Sequence, residues 1–296
     1  MTSADVIDDA FLAHRGALFG LAYRMLGSVS DAEDVVSDAY LRWQGQPSHG
    51  QVKDPKAYLF AITARLSIDM LRSARRTRVD YIGTWLPEPL VTDWADDPAV
   101  LADAKDTLSL GFLRLLEQLT PVERAVFILR EAFDFPHEET AALLDVSAAA
   151  VRQHFRRARK RLATDDAPRF AATRAKQDEL MERFMAAIGS GEVEPLADLL
   201  AADAELYADG GGKASAILRP AHGRLRIARF FRGLARQAPS DMRVDLVRAN
   251  GEPAMLVRVP GEVLGVYAIE VDPGSDQIRA VHAVRNPDKL RLLSTA

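Results

Sequence analysis

A block of cations near the middle of the chain has the composition of a nucleic-acid-binding surface. Six of the ten residues from Arg152 to Arg161 are Arg or Lys, and no carboxylate stands between Asp145 and Asp165. Guanidinium groups bind phosphate and form bidentate hydrogen bonds with guanine, and a glutamine side chain pairs with adenine in the same way. The block therefore predicts phosphate binding combined with base reading.

The residues around this block predict a helix-turn-helix. Ser147 is a typical N-cap residue, and apolar residues recur behind it at helical spacing. Residues 138–144 form a shorter helical pattern, and Asp145 tolerates the left-handed backbone that such turns need. A solvated basic helix is the alternative, but the preceding helix and turn favour a recognition helix that enters a major groove. The groove and phosphate contacts are expected from Ser147, Arg152, Gln153, Arg156, Arg157 and Arg159.

A second basic block and an acidic helix lie upstream. After a first helix predicted over residues 6–26, the capping-box pattern at Ser30 to Glu33 predicts a helix through Trp43. The carboxylates of this helix can complement the helix dipole, and they can also face a partner protein. The two roles are compatible. A long helix is predicted over residues 55–76. Cations are concentrated near its C-terminal half, and they either face solvent or bind an anion: Arg65, Arg72, Arg75, Arg76 and Arg78.

Composition argues against several other classes of protein. The 296 residues carry a net charge of −4, so overall charge gives no indication of nucleic acid. The absence of cysteine excludes disulfides and cysteine zinc sites, and the six histidines show no metal spacing. We therefore expect neither a metal nor a cofactor. No apolar run is long enough to span a membrane and no signal-peptide pattern is present, so a cytoplasmic protein is expected.

Beyond residue 80 the sequence changes to a linker and then to a separate domain. The segment 83–98 combines prolines, acids and two tryptophans, which indicates an extended linker that docks onto another part of the protein. Beyond residue 173, helices are followed by a series of alternating strands, which indicates an α+β domain. This domain includes a basic amphipathic helix at 223–236 and a turn, DGGGK, at 209–213. The turn either needs positive φ or cradles an anion.

The helical part resembles a bacterial extracytoplasmic-function (ECF) RNA polymerase sigma factor. The segment LFGLAYRMLGSVSDAEDVVSDAYLRW (18–43) looks like the helix pair of region 2 that grips the polymerase clamp. AYLFAITARLSIDMLRSARR (57–76) looks like the segment that recognises and melts the −10 element, and 119–162 looks like region 4, which reads the −35 element. The resemblance implies that the loop 47–53 captures an unstacked base.

Three further motifs are similar to those of SigJ-type sigma factors with a SnoaL-like C-terminal domain: WLPEP (85–89), DGGGK (209–213) and NPDKL (286–290). That domain has the nuclear-transport-factor-like cone fold. The resemblance implies two all-α sigma domains followed by an α+β cone domain. The expected domain boundaries are 1–80 for region 2, 81–99 for the linker, 100–164 for region 4 and 174–296 for the regulatory domain. Asp145 departs from the family, where many such turns carry glycine.

The resemblance also implies partners and contact residues. The partners are the RNA polymerase core, met at the clamp of its β′ subunit, and promoter DNA; no membrane is involved. The expected polymerase contacts are Asp31, Glu33, Asp34, Val35, Asp38 and Arg42. The arginines of 65–78 named above would bind the −10 element. An intramolecular contact between the linker and the C-terminal domain would use Trp85, Leu86, Pro87, Glu88, Pro89, Asp209, Gly210, Gly211, Gly212, Lys213, Asn286, Pro287 and Asp288.

Two other functions stay open at this point. One is a DNA-binding regulator that acts without polymerase, and the other is a SnoaL-like enzyme fused to a DNA-binding module. The polar candidates for a pocket define no acid–base pair by their spacing: Tyr207, Asp209, His222, Tyr267 and His282. The expectation is therefore a sigma factor, not an enzyme, that is regulated in cis by its C-terminal domain.

Overall fold

Apolar residues at helical spacing fold most of the chain's first half into helices, and alternating residues build a sheet in the second half. The computed structural model describes residues 3–46, 52–78, 81–93, 109–162, 173–272 and 274–293. These residues form two units. Residues up to 78, together with 115–162, make a helical unit. Residues 81–93 and 109–114 join the C-terminal residues in a second unit.

The helical unit contains the regions that resemble sigma regions 2 and 4. Its helices are α1 (Ser3–Leu12), α2 (Arg15–Leu26), α3 (Val29–Gln44), α4 (Pro55–Arg78), α5 (Leu110–Leu116), α6 (Pro121–Glu131), α7 (His137–Leu144) and α8 (Ala148–Leu162). Helix α5 begins among residues of the second unit and ends in the helical unit.

The start of the chain differs from its prediction in two respects. The predicted helix over 6–26 is two helices, α1 and α2. The N-cap of α3 is Ser28 and not Ser30, since the Ser28 Oγ accepts a hydrogen bond from the Asp31 N–H at 3.2 Å. The reason lies in Gly27, which ends α2 with a left-handed backbone (φ 66°) and leaves Ser28 extended, as an N-cap requires.

Buried arginines join α2 and α6 in one core. Arg124 is 3% exposed and donates to the carbonyl oxygen of Met25 and to Glu117, both at 2.7 Å. Arg24 is also buried and donates to the carbonyl oxygen of Gly20 at 2.9 Å. Burial lowers the pKa of Arg24 to about 10. Because buried guanidinium groups need acceptors, these bonds restrict how α2 and α6 pack.

A capping box joins α6 to α8. The Thr120 Oγ1 accepts from the Glu123 N–H, and Glu123 accepts from the Thr120 N–H at 3.0 Å. Glu123 also forms an ion pair with Arg161 on α8. Burial alone would raise the pKa of Glu123, but the Thr120 hydrogen bonds and Arg161 together lower it. This carboxylate therefore both starts α6 and anchors the last turn of α8.

The second unit is a seven-stranded sheet with helices. Its strand order is β1-β4-β5-β6-β7-β2-β3, with β2 and β7 parallel and all other neighbours antiparallel. The elements in chain order are β1 (Val91–Asp93), α9 (Arg174–Ser190), α10 (Glu194–Leu199), β2 (Leu200–Asp209), β3 (Ala221–His222), α11 (Arg224–Arg236), β4 (Arg243–Ala249), β5 (Glu252–Val259), β6 (Glu262–Asp272), β7 (Gln277–Val284), α12 (Pro287–Leu290) and a 3₁₀ turn (Arg291–Leu293).

Each face of the sheet has its own apolar core. One core includes Phe184 of α9, Phe231 of α11 and Tyr267 of β6. The other includes Val266 of β6 and is completed by Leu86 and Leu110, which precede the C-terminal residues by about a hundred positions. Successive side chains on a strand point to opposite faces, so neighbouring residues enter different cores. The predicted fold class, helical sigma regions followed by an α+β domain, is confirmed.

We expect Thr120→Ala to destabilise α6 by about 1 kcal/mol, because the first-turn N–H groups lose their cap. Hydrogen exchange at the amides of residues 121–124 measures this as faster exchange. Thr173 is a matched control, since it stands at the N-cap of α9 without a side-chain cap bond. Thr173→Ala should leave exchange in α9 unchanged, and equal effects at both sites would contradict the assignment.

Candidate nucleic-acid and linker interfaces

Helix α8 presents its cations outward because its apolar side is held in the helical core. Asp145 adopts the left-handed conformation (φ 56°) at the end of α7, and the Ser147 Oγ accepts from the Ala150 N–H at 3.1 Å. Val151 and Ala158 are fully buried, and Phe155 stacks on Phe127 with ring centroids 6.2 Å apart. The exposed polar residues of α8 are Arg152, Gln153, Arg156, Arg157, Arg159, Lys160 and Arg161.

Within the part of the chain that the structure describes, two of these cations form ion pairs. Arg161 is exposed but forms an ion pair with the buried Glu123, so it anchors α8 to α6. Arg152 lies 3.7 Å from Glu138 in a pair exposed on both sides, an interaction of small energy that a phosphate can replace. The cationic surface of α8 therefore centres on Arg156, Arg157 and Arg159.

On α4, Arg65 contacts the helix-turn-helix. Its Nε donates to the carbonyl oxygen of Leu143 at 3.0 Å, and an Nη lies 3.5 Å from the carbonyl oxygen of Ala142. These carbonyls belong to the last turn of α7, where the helix dipole favours a cation. Arg72 is exposed and lies 3.4 Å from Asp69. The side chains of Arg75, Arg76 and Arg78 lie outside the described residues, as does most of the loop 47–53.

The exposed side of α3 is mainly acidic. Asp34, Asp38 and Arg42 are exposed, and Asp31 is half-buried. Glu33 forms an ion pair of 2.8 Å with Arg15. The prediction that Val35 joins this surface is not supported, because Val35 is 1% exposed and packs inside the helical core. An apolar residue on the buried side of an amphipathic helix packs in the core, so its side chain is not accessible to a partner protein.

In the second unit, Asp209 brings the three short motifs together. Its carboxylate is fully buried and accepts hydrogen bonds from the N–H of Leu86 at 2.8 Å, the N–H of Gly211 at 3.0 Å and the hydroxyl of Tyr81. Lys289 donates to the same carboxylate at 2.7 Å. Burial and the bond to Asp209 raise the pKa of Tyr81 above its ordinary value. One buried anion thus binds residues from three distant segments.

Lys289 and Asn286 complete this linker site. Lys289 also donates to the carbonyl oxygen of Leu86, and its Nζ lies 4.3 Å from the centre of the Trp85 ring, a cation–π distance. The side-chain amide of Asn286 donates to the Tyr81 hydroxyl at 3.0 Å. In WLPEP itself, Leu86, Pro87, Glu88 and Pro89 are buried and Trp85 is half-buried.

The glycines of DGGGK allow this close approach. Gly211 has φ 58°, and a Cβ there would lie 2.2 Å from the Asn286 amide nitrogen. Gly212 has φ 72° and faces Ile82, while a Cβ on Gly210 would lie 2.3 Å from the carbonyl oxygen of Ala214. Positive φ and crowding together explain glycine here. Lys213 instead forms an exposed pair of 2.6 Å with Asp288, next to the exposed Pro287.

The linker also extends the sheet. Val91–Asp93 pairs with β4 as an edge strand, with Val91 opposite Ala249. Just before this strand, the Leu90 N–H donates to the Asn250 side chain at 3.0 Å, and the Asn250 N–H donates to the Leu90 carbonyl at 2.8 Å. Asn250 has φ 57°, as expected for the Asn-Gly turn. Backbone pairing of this kind binds an extended segment largely independently of its side chains.

A buried polar cluster lies on the same sheet face. His282 Nε2 is 3.2 Å from Glu270 Oε2, and the His282 ring stacks on Tyr207 with centroids 5.5 Å apart. Arg114 of α5 lies 3.9 Å above the Tyr207 ring. Gly111 of α5 lies against the Glu270–His282 pair, so closely that a Cβ added at Gly111 would lie 2.5 Å from Glu270 Oε2. No local sequence pattern marks Glu270 or Arg114 as a site residue, because their neighbours in the fold are distant in the chain.

Glu252 belongs to this cluster. It accepts a hydrogen bond from the Leu110 N–H, and its buried Oε2 has no partner among the described residues. Burial, and then the negative charge of Glu270, raise its pKa well above the ordinary value. Of the other pocket candidates, Tyr267 faces the opposite core, and His222 is exposed and lies 3.0 Å from Glu205. The five predicted polar candidates therefore do not converge on one pocket.

Comparisons with known proteins agree with the helical unit. Residues 10–77 match the family described as sigma-70 region 2, and residues 109–162 match sigma-70 region 4. These are the segments that contain α4 and the helix-turn-helix. The chain therefore has the two domains that define a sigma factor. Among its described residues, no helix is long and apolar enough to cross a membrane.

Relatives cover the whole length of the chain. The ECF RNA polymerase sigma factor SigJ of Mycobacterium tuberculosis is 37% identical over 273 residues, 92% of this chain and 83% of the relative. The probable ECF sigma factor SigI of the same organism is 29% identical over 98% of this chain and 97% of its own. The crystal structure of M. tuberculosis SigJ matches with a TM-score of 0.76 at 32% identity, covering 94% of this chain and 96% of that one. The chain belongs to the ECF sigma factors, which direct RNA polymerase in transcription initiation.

Asp209→Asn should loosen the linker, because Lys289 is then left largely buried without a carboxylate, at a cost on the order of 3–5 kcal/mol. Hydrogen exchange at the Leu86 and Leu90 amides should accelerate on the order of a hundredfold. The control is Asp288→Asn, which breaks a pair that is more than half exposed and worth about 0–1 kcal/mol. Unchanged exchange in Asp209→Asn would show that this carboxylate does not hold the linker.

Glu252→Gln should stabilise the second unit at high pH. Because the pKa is raised in the folded protein, folding takes up a proton above about pH 4.3, and stability falls as the pH rises toward the raised pKa. The glutamine side chain has no proton to lose, so the variant does not lose stability in this way. The difference in melting temperature between the variant and the parent should therefore be more in favour of the variant at pH 8 than at pH 5. Glu262→Gln, at an exposed site on β6, is the control. Parallel pH profiles for Glu252→Gln and the parent would contradict a buried, protonated Glu252.

Proposed function

We propose that this sigma factor reads promoters through α4 and α8 and is regulated in cis by its C-terminal domain. The residues of α3 with exposed charge would meet the clamp of the polymerase, the arginines of α4 the −10 element and those of α8 the −35 element. The observation that carries the regulatory part is the buried Asp209, which binds the segment connecting the two promoter-binding regions. This activity would take place in the cytoplasm, with the polymerase and the chromosome.

Contacts inside the helical unit support a closed free state. Arg65, an expected −10 contact, is bound to the last carbonyls of α7. A DNA phosphate would therefore compete with these carbonyls for the Arg65 guanidinium. Promoter binding by both regions would favour separation of α4 and α7, at the expense of a charge-assisted hydrogen bond.

Contacts inside the second unit support a restrained linker. The domain boundaries that we propose place residues 81–99 between region 2 (1–80) and region 4 (100–164), with the regulatory domain at 174–296. Asp209, Lys289 and the β1 pairing hold residues 81–93 of this linker. A bound linker limits how far apart its two ends can move, so its release would favour the separated regions that a promoter requires.

We also infer that the C-terminal domain acts by contact and not by catalysis. Its acid–histidine pair, Glu270 and His282, is covered by the Gly111 backbone. A general acid or base must reach its substrate within hydrogen-bond distance, and here the space beside the pair is filled by α5. This argument weakens the enzyme alternative, which would need an accessible pair.

The test is run-off transcription by purified core polymerase and the full chain, on templates that include the DNA upstream of its own gene. Arg152→Ala with Arg156→Ala should reduce the product at least tenfold, because each direct base contact is worth about 1–3 kcal/mol. The exposed Arg183 of α9 offers a control, and Arg183→Ala should leave the product unchanged. Full activity of the double variant would contradict reading by α8.

The same assay tests cis regulation. Asp209→Asn should raise the product because it releases the linker, while Asp288→Asn should not. Equal product from both variants and the parent would contradict regulation through this carboxylate. Absence of any product, with the full chain or a 1–164 fragment, would instead favour a DNA-binding regulator that acts without polymerase.

A further inference from the structure

Helix α11 carries a charged surface outside both sigma regions. Residues 210–240 contain seven Lys or Arg and no Asp or Glu, and five of the seven are arginines of α11. Lys213 is paired with Asp288. Among the residues that the structure describes, none forms an ion pair or a hydrogen bond with the side chain of an α11 arginine. A cluster of unpaired guanidinium groups raises the local positive potential and favours binding of a polyanion.

Three of the five arginines of α11 lie on the side opposite its buried residues. Ile227, Ala228 and Phe231 are buried in the core of the sheet domain. At 100° per residue, the 120° of the helix opposite these residues contains Arg226, Arg229 and Arg236, and Arg232 lies just outside it. Arg232 is half-buried and the other three are exposed, over an axial length of about 15 Å. Because the apolar side is already packed, α11 cannot insert into a membrane as an interfacial helix does.

Gly233 lies on the same side of α11 as Arg226, Arg229 and Arg236, and it independently indicates that a ligand binds there. Glycine destabilises a helix interior relative to alanine, and such a position usually has a packing reason. No atom lies within 4 Å of a Cβ built at Gly233, so the described residues supply no such reason. Glycine at the centre of an arginine surface allows the backbone of a ligand to approach the helix closely.

We propose that this surface, Arg226, Arg229, Gly233 and Arg236, binds the phosphate backbone of duplex DNA. The cations are all arginine, whose planar fork matches phosphate oxygens in bidentate geometry. The domain is covalently joined to the helix-turn-helix region, so DNA bound there would be at a high effective concentration for α11. The contact would be independent of sequence, because phosphates carry no base information. It would add affinity and salt dependence to the promoter complex without changing its specificity.

The test is binding of the full chain to a fluorescent 40-base-pair duplex of mixed sequence, measured by anisotropy between 50 and 200 mM salt. Each lost phosphate contact lowers the slope of log K against log salt by about 0.9. The triple variant Arg226→Gln, Arg229→Gln, Arg236→Gln should lower this slope by about 2 to 3 and weaken binding at least tenfold at 100 mM salt. The matched control removes three exposed arginines of the same domain outside α11: Arg183→Gln, Arg219→Gln and Arg243→Gln.

A triple variant with the slope of the parent overturns the proposal, and so does a control that loses as much as the triple variant. Loss of core polymerase binding without a change in DNA binding also overturns it, and would indicate an acidic protein as the partner of α11. Melting temperatures should agree among all variants, because the substituted side chains of α11 are exposed. The transcription assay scores sigma activity separately, so a failure here does not bear on it.

A second pair of variants tests the same surface without removing an arginine. Gly233→Glu places a carboxylate within the cationic arc, and Gly233→Gln adds nearly the same shape without charge. The open space around Gly233 allows both side chains to fit. We expect Gly233→Glu to bind the duplex at least fivefold more weakly than Gly233→Gln, with a slope lower by about one. Equal affinities would overturn the proposal.

Discussion

A carboxylate taken out of water costs several kcal/mol unless cations and N–H or O–H donors surround it, and Asp209 meets this requirement with groups from distant segments. Tyr81 and Leu86 come from the linker, Gly211 from the following turn and Lys289 from the C-terminal helix. Removing any of these segments would leave the charge partly unsatisfied. The position of the linker is therefore coupled to the folding of the C-terminal domain.

This coupling gives one face of the sheet an unusual composition. Its core is completed by Leu86 and Leu110, which flank the linker, and its edge is extended by β1. Glu252, Glu270 and His282 are polar residues in that otherwise apolar layer. His282 is fully buried and Glu270 is half-buried, and Gly111 of α5 lies directly against this pair. The domain is thus built to hold the linker segment as part of its own core.

The helical unit uses one buried and one exposed arginine in a comparable way. Arg124 connects α6 to the end of α2, and Arg65 connects α4 to the end of α7. The first is buried and belongs to the core, whereas the second is exposed and can exchange its acceptors. Region 2 and region 4 therefore share a stable contact and a replaceable one.

The sequence by itself determined most of the helices and strands, the recognition helix and the family, because these depend on local periodicity and on short motifs. The N-cap of α3 is Ser28 and not the predicted Ser30, because Gly27 leaves Ser28 in the extended backbone conformation that an N-cap requires. Only the tertiary structure decided which charges are free. Arg161 is an anchor and Val35 is buried, although the sequence places the first in the basic block and the second among the expected polymerase contacts. Pairings such as Asp209 with Lys289 arise from segments 80 residues apart, and no local pattern encodes them.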